Sequence, residues 1–107
     1  MEAAHMNTTA LYFLFARNDR AIISVERNRD DMGLKSTVDD LISGQIDPPV
    51  SIWCAEDNRF WDATDDIAQI IVDRAAADRL ELGQPLLAWI SEHVSLRSAY
   101  ALGLEAA

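Results

Sequence analysis

The sequence predicts an α+β domain with the element order ββαββαα, in which a small, mainly antiparallel sheet of two hairpins packs against two or three helices. Two pairs of short aromatic and β-branched runs are each divided by turn-forming residues, which is typical of hairpins. A segment with helical spacing and capping residues follows each pair. Half of the 107 residues are hydrophobic, so the chain has enough apolar material for one core.

The first hairpin is predicted from two runs, residues 11–16 and 20–25, which are separated by Arg17, Asn18 and Asp19. Asn18 and Asp19 tolerate the positive φ angles of a tight two-residue turn. With that turn, one face is wholly apolar, is expected to be core, and carries Tyr12, Leu14, Ala16, Ala21, Ile23 and Val25. The other face is mixed and carries Leu11, Phe13, Phe15, Arg17, Arg20, Ile22, Ser24 and Glu26.

A charged stretch, residues 26–35, is expected to form an exposed and mobile loop after this hairpin. A short helix over residues 38–43 follows, and Ser36 or Thr37 is expected to cap its first turn. Gly44 is the expected end of that helix because glycine is favoured just beyond a helix C-terminus.

The second hairpin covers residues 50–63, with Asp57 and Asn58 at its tip. This turn places Ile52, Cys54, Trp61 and Ala63 on one face, and Trp53, Ala55, Phe60 and Asp62 on the other. Both faces are largely apolar. A sheet covered by helices on one side would therefore leave an aromatic face that needs another cover.

Thr64 is the predicted N-cap of a helix that runs to about Glu81 and stops at Gly83. Pro85 suits the first turn of the next helix, which has two apolar stripes. Leu87, Ile90 and Val94 form the stripe expected to face the sheet. The second stripe, predicted to join two subunits of a homodimer, contains Trp89, Leu96 and Tyr100.

Composition excludes several classes of function. A net charge of −9 argues against direct binding of nucleic acid or of an anionic membrane through a basic face. No apolar run approaches the roughly 20 residues of a membrane span, and no signal peptide opens the chain. We therefore expect a cytoplasmic protein. Residues 1–5 are expected to be a cloning leader, and residues 6–107 a single domain.

The residues that could carry chemistry do not form a known catalytic pattern. The cluster Asp62, Asp65 and Asp66 is the first place to look for a metal, but these residues surround a predicted helix start, where acidic side chains are stabilising. His93 is the one histidine outside the leader, and no nucleophile motif surrounds Ser91.

The remaining motifs argue the same way. Cys54 lies in an apolar strand, so we expect a buried and inert thiol. Four scattered glycines make neither a phosphate loop nor a dinucleotide fingerprint. The sequence therefore predicts no catalytic residue, no metal and no cofactor.

The leading functional hypothesis is a bacterial-type, non-enzymatic protein-interaction module: a small regulator, inhibitor or accessory subunit. Its expected partner-binding residues are aromatic and arginine side chains, which protein interfaces favour: Phe13, Phe15, Arg17, Arg20, Trp53 and Phe60. One alternative is a phage-type nucleic-acid mimic that inhibits a nuclease or another defence protein. The other is a carboxylate-based, metal-dependent enzyme.

Overall fold

A computed structural model describes residues 10–94 and confirms the α+β fold and the order ββαββαα. The strands are β1 (Leu11–Asn18), β2 (Ala21–Ser24), β3 (Ser51–Glu56) and β4 (Arg59–Asp62). The helices are α1 (Leu34–Ser43), α2 (Thr64–Asp78) and α3 (Gln84–His93), and a 3₁₀ helix covers Arg29–Asp31. The described chain divides into two compact units: a sheet unit of residues 10–37 and 49–63, and a helical unit of residues 38–48 and 64–94.

The four strands form one antiparallel sheet in the order β2-β1-β3-β4. The long strand β1 joins the two hairpins because it pairs with β2 on one side and with β3 on the other. In the β1–β3 pair, Phe13 lies opposite Trp53 and Leu14 lies opposite Ile52. This pairing brings one face of each hairpin onto the same side of the sheet.

The first hairpin turns one residue later than predicted, at Asp19 and Arg20, and Asp19 takes a φ of 54°. Asn18 therefore pairs with Ala21, whereas the predicted turn at Asn18 and Asp19 would pair Ala16 with Ala21. The predicted register is wrong by two residues. The predicted faces survive, because side chains alternate between faces with a period of two and an even shift preserves that alternation.

The predicted core face of the first hairpin is correct for Leu14, whereas Tyr12 and Ala16 are half-buried. Leu14, Ile52 and Cys54 are all 0 % exposed, and they share this face by the strand register. The prediction is wrong for Ala21 and Ile23, which are exposed. Both lie on β2, an edge strand of four residues that are all exposed.

The second hairpin has the predicted register. Glu56 pairs with Arg59 across a two-residue turn, and Asp57 at its tip has a φ of 56°. Aspartate is among the non-glycine residues that adopt this left-handed conformation most readily. Trp53 and Phe60 therefore share one face, as the turn residues predicted.

The charged loop after β2 is held along β1 rather than free. The N–H of Tyr12 donates to the carbonyl of Met32 at 2.8 Å, and Arg27 Nη1 donates to the carbonyl of Tyr12 at 3.3 Å. These bonds use the main-chain groups of β1 that lie beyond the end of β2. The expectation of a mobile loop misses this return to the strand, because nothing local in the sequence indicates it.

Helix α1 begins at Leu34, four residues before its predicted start. Ser36 and Thr37 consequently lie inside the helix and not at its cap, and Thr37 is fully buried. The cap prediction is wrong because serine and threonine mark a helix start only where the backbone leaves the helical conformation.

Helix α2 begins at Thr64 and ends at Asp78, three residues before its predicted end. Arg79 then adopts a left-handed φ of 56°, and the N–H of Leu80 donates to the carbonyl of Ala75 at 2.9 Å. This is the hydrogen bond of a Schellman termination, a site usually held by glycine. Gly83, the predicted stop, is instead the N-cap residue of α3.

Both α2 and α3 carry buried apolar side chains. The buried side chains of α2 and α3 include Ile67, Ala68, Ile71, Val72, Ala75, Leu86, Trp89 and Ile90. An ion pair also joins α1 to α2, with Arg74 Nη2 at 2.6 Å from Asp39 Oδ1. Pro85 lies in the first turn of α3, as predicted.

Candidate functional site

The β1–β3 pairing gathers the predicted aromatic anchors onto one surface, which the sequence had assigned to two separate hairpin faces. Phe13 lies directly opposite Trp53, and Phe60 lies opposite Ala55 on the same side. We call this surface the aromatic face and define it by Phe13, Phe15, Trp53 and Phe60. It runs across three strands, β1, β3 and β4.

The rings of the aromatic face contact one another in favourable geometries. Trp53 and Phe60 are stacked, with their centroids 5.1 Å apart and their planes at 20°. Phe13 meets Phe60 edge to face, at 6.3 Å and 67°. Such pairs contribute about 0.5–1.5 kcal/mol each beyond the area they bury. Phe13, Trp53 and Phe60 therefore form one cluster of rings in contact.

The same rings remain open to solvent. Phe60 is 58 % exposed, although it contacts two other rings. Phe13, Phe15 and Trp53 are partly buried, so the face is neither a closed core nor a set of isolated surface residues. Ile22, which is 53 % exposed, extends this apolar surface onto β2, on the side of the sheet that Arg17 shares.

Charged residues border the aromatic face at two ends. Arg17 is exposed and lies opposite Ile22 at the β2 end. Asp62 is exposed and lies opposite Trp53 at the β4 end. The structure does not place Arg20 on this face, because Arg20 occupies the turn between β1 and β2.

Sequence reasoning missed one cation–π contact on the other side of β4. The guanidinium carbon of Arg59 lies 4.7 Å from the centroid of the Trp61 ring. Residues two apart on a strand point the same way, so the Arg-x-Trp spacing was the available signal. Arg59 Nη2 also lies 3.9 Å from Glu56 Oε1 across the turn, and this long ion pair between an exposed arginine and a half-buried glutamate has a small energetic weight.

His93 is held between an acid and an aromatic ring. Its Nδ1 lies 3.0 Å from Asp65 Oδ1, and its ring centroid lies 5.0 Å from that of Trp89. Ser91, two residues before His93, donates its hydroxyl to the carbonyl of Ala88 at 2.7 Å. That hydrogen bond directs the Ser91 hydroxyl to its own helix, and no hydrogen bond joins Ser91 to His93 among those described.

Two of the three acidic residues near the start of α2 lie in the first turn of that helix. Asp65 and Asp66 fall in the first turn, where negative charge complements the helix dipole. Within residues 10–94, no three histidine, cysteine or acidic side chains come together as metal ligands. Asp65 and Asp66 therefore have a structural reason for their position, whereas Asp62 is the last residue of β4.

Cys54 is a free and fully buried thiol. Burial raises the pKa of the Cys54 thiol, and a hydrogen bond involving its cross-strand neighbour Tyr12 only partly offsets that effect. A raised pKa lowers the thiolate fraction at neutral pH, and the thiolate is the reactive form. Burial and the raised pKa therefore favour a packing role for Cys54 over a role as a nucleophile.

The helical unit contains a small cavity of about 190 Å³ between the end of α1 and the start of α3. Its lining includes Leu41, Ile46, Pro48, Pro85 and Leu86. Pockets for drug-sized molecules and cofactors usually span about 300–1,000 Å³. The cavity is therefore too small for a nucleotide or a similar cofactor.

The residues predicted to join two subunits are only partly described. Trp89 is 7 % exposed in a single chain, which leaves little of its surface for a second subunit. Leu96 and Tyr100 lie outside the described residues. Among the helices of the described part, none combines the length and the apolar character needed to cross a membrane.

Charge is unevenly divided between the two units. The helical unit carries nine acidic residues against two arginines, whereas the sheet unit carries seven acidic residues against six basic ones. The aromatic face therefore lies on the nearly neutral part of the chain. Comparisons with models of protein families, with curated proteins and with solved structures found no match.

Proposed function

We propose that this chain is a non-enzymatic protein-interaction module of the cytoplasm, which binds a protein partner through the aromatic face. A regulator, an inhibitor or an accessory subunit would use such a surface. One observation carries the proposal: Phe60 is 58 % exposed while it stacks on Trp53 and contacts Phe13. Contiguous apolar patches of this kind on soluble proteins commonly mark interaction sites.

The composition of the surface supports a protein as the partner. Aromatic residues and arginine are enriched at protein interfaces, and a few central aromatic side chains usually carry most of the binding energy. Trp53 and Phe60 supply the aromatic centre, and Arg17 and Asp62 supply charges of opposite sign at its edges. A partner with the complementary charges would dock in one orientation.

The preformed ring stack favours affinity for a second reason. Association normally costs about 0.5–1.5 kcal/mol for each flexible side chain that becomes fixed. Phe60 already contacts two rings in the free chain, so less ordering remains when a partner covers it. The aromatic face would therefore lose little side-chain entropy on binding, and most of the ordering would take place in the partner.

Affinity capture from a lysate of the native host tests the proposal, with washes at low and at high salt. An apolar interface should retain its partner at high salt, because salt screens charges and does not weaken apolar burial. Phe60→Ser should abolish the capture. The matched control is Leu80→Ser, which removes an apolar side chain of 37 % exposure from the helical unit. Equal capture by Phe60→Ser and the natural chain would refute the proposal.

The charge division favours one second candidate, a nucleic-acid mimic that occupies a basic site on another protein. Nine acidic residues against two arginines in the helical unit would supply the phosphate-like charge. A partner bound in this way would leave at high salt and would be unaffected by Phe60→Ser. It would instead be weakened by Asp66→Asn combined with Asp73→Asn, two exposed acids of α2.

A further inference from the structure

Strand β2 is an edge strand without the usual protection. All four of its residues are exposed, and its sequence, Ala-Ile-Ile-Ser, contains neither a charge nor a proline. Ile22 and Ile23 are 53 % and 43 % exposed on opposite faces. The other edge strand, β4, carries a charged residue at each end, Arg59 and Asp62. Charged residues and prolines are the common means of blocking edge-to-edge pairing.

The hydrogen-bond pattern shows which main-chain groups of β2 point outward. The N–H of Val25 donates to the carbonyl of Leu14 at 2.8 Å, so Val25 directs its main-chain groups towards β1. Main-chain groups alternate sides along a strand. Ile22 and Ser24 therefore direct theirs to the open edge, and β2 is the last strand on this side within residues 10–94.

We propose that β2 pairs antiparallel with β2 of a second copy of this chain, about a two-fold axis at Ile23. In this arrangement Ile22 of each copy lies opposite Ser24 of the other, and the two sheets become one continuous sheet. Opposed residues in an antiparallel pair must both point their main-chain groups into, or both away from, the shared edge. The two strands are identical and related by a two-fold axis. This requirement therefore allows only the registers in which the axis passes through one residue, and it excludes those in which the axis passes between two residues.

Charge selects among those registers. Arg20 lies in the turn before β2 and Glu26 lies just beyond its end, and both are exposed. The register centred on Ile23 brings the turn of each copy, with Arg20, beside Glu26 of the other, so that opposite charges meet at both ends of the paired strands. A register centred on Ile22 brings Arg20 beside Ser24 instead, and one centred on Ser24 places Ile22 beside Glu26. Of these three registers, the one centred on Ile23 brings Arg20 and Glu26 together and keeps Ile22 away from the Glu26 carboxylate.

The proposed pairing has a consequence for the binding surface. A two-fold axis perpendicular to the sheet keeps the same side of both copies facing the same way. The two aromatic faces would then form one surface, joined through the exposed Ile22 side chains. A partner with two equivalent sites would bind such a dimer more tightly than it binds one copy.

Sedimentation equilibrium of the full chain over a concentration series tests the pairing. The mass should rise from that of the 11.9 kDa monomer towards twice that value as concentration increases. Ser24→Pro removes an outward N–H and leaves the bonds to β1 intact, so it should weaken dimerisation by about tenfold or more. Ser24→Ala keeps the N–H and is the matched control, expected to dimerise like the natural chain.

Charge reversal tests the register with exposed residues that have no part in the core. Arg20→Glu alone and Glu26→Arg alone should each weaken dimerisation, and the double variant should restore it. The proposal is overturned if the chain stays monomeric at every concentration, or if Ser24→Pro dimerises normally. The proposal is likewise overturned if the double variant dimerises more weakly than both single variants. It is also overturned if the β2 edge pairs only with a peptide of another protein.

Discussion

Replacement of Phe60 by alanine separates an interface residue from a core residue. Phe60 is 58 % exposed, so folding covers roughly two fifths of the ~200 Å² that a phenylalanine can bury. Those ~80 Å² correspond to about 2 kcal/mol at ~25 cal/mol per Å², an upper estimate because an extended chain is the reference. The lost contacts with Trp53 and Phe13 add a fraction of a kcal/mol to about 1 kcal/mol. We therefore expect Phe60→Ala to lower the free energy of unfolding by about 2 kcal/mol.

Urea denaturation followed by tryptophan fluorescence measures this change. Leu14→Ala is the matched control, because Leu14 is 0 % exposed on the opposite face of the same sheet. That substitution should cost about 3–5 kcal/mol, since it removes buried methyl groups and leaves a cavity. A domain whose free energy of unfolding is about 5–15 kcal/mol should stay folded with Phe60→Ala, whereas Leu14→Ala should bring it close to unfolding. If Phe60→Ala costs as much as Leu14→Ala, the ring is core and cannot serve a partner.

Three further predictions address other parts of the chain. Because burial raises the pKa of the Cys54 thiol, the native protein should resist a thiol reagent that labels the denatured chain at once. The free energy of unfolding should also fall as the pH rises above the ordinary thiol pKa, since the unfolded chain then loses this proton first. Fast labelling of the native protein would contradict the first expectation. Asp65→Asn with Asp66→Asn should cost about 1 kcal/mol or less, and calorimetry should detect no Mg²⁺, Mn²⁺ or Ca²⁺ binding, whereas micromolar affinity lost in the double variant would show a metal site. Arg79→Gly should stabilise the protein by about 0.5–1 kcal/mol in thermal unfolding, because Arg79 has a left-handed φ; an unchanged or lower stability would refute the strain.

The sequence predicted the elements whose signals are local. The turn at Asp57 and Asn58 lies where turn chemistry placed it, and with it the shared face of Trp53 and Phe60. The first turn was misplaced because Asn18, Asp19 and Arg20 form a polar run in which two neighbouring positions can hold the turn. Periodicity preserved the faces even where the register was wrong.

Helix ends were harder to predict than helix existence. Gly83 was expected to stop α2, but Arg79 terminates it in the left-handed conformation that glycine usually occupies. Ser36 and Thr37 were expected to cap α1, but the helix begins at Leu34. In both cases the residue type allowed the predicted role, and the surrounding chain imposed another one.

The aromatic face as one surface could not be predicted from local patterns. Phe13 and Trp53 are 40 residues apart, and only the β1–β3 pairing places them opposite each other. Which strands of two hairpins pair is decided by long-range packing, which leaves no local signal in one sequence. The sequence did identify the residues that make up the face, because alternation along each strand grouped Phe13 with Phe15 and Trp53 with Phe60.

Site-specific photocrosslinking in cells of the native host tests most directly the claim that the aromatic face binds a protein. A photoreactive phenylalanine analogue at Phe60 should give a light-dependent adduct with one other protein, since Phe60 is the most exposed ring of the aromatic face. The same analogue at Leu80, an exposed position of the helical unit, should give none. An adduct from position 80 and none from position 60 would contradict the account, because the partner would then bind away from the aromatic face.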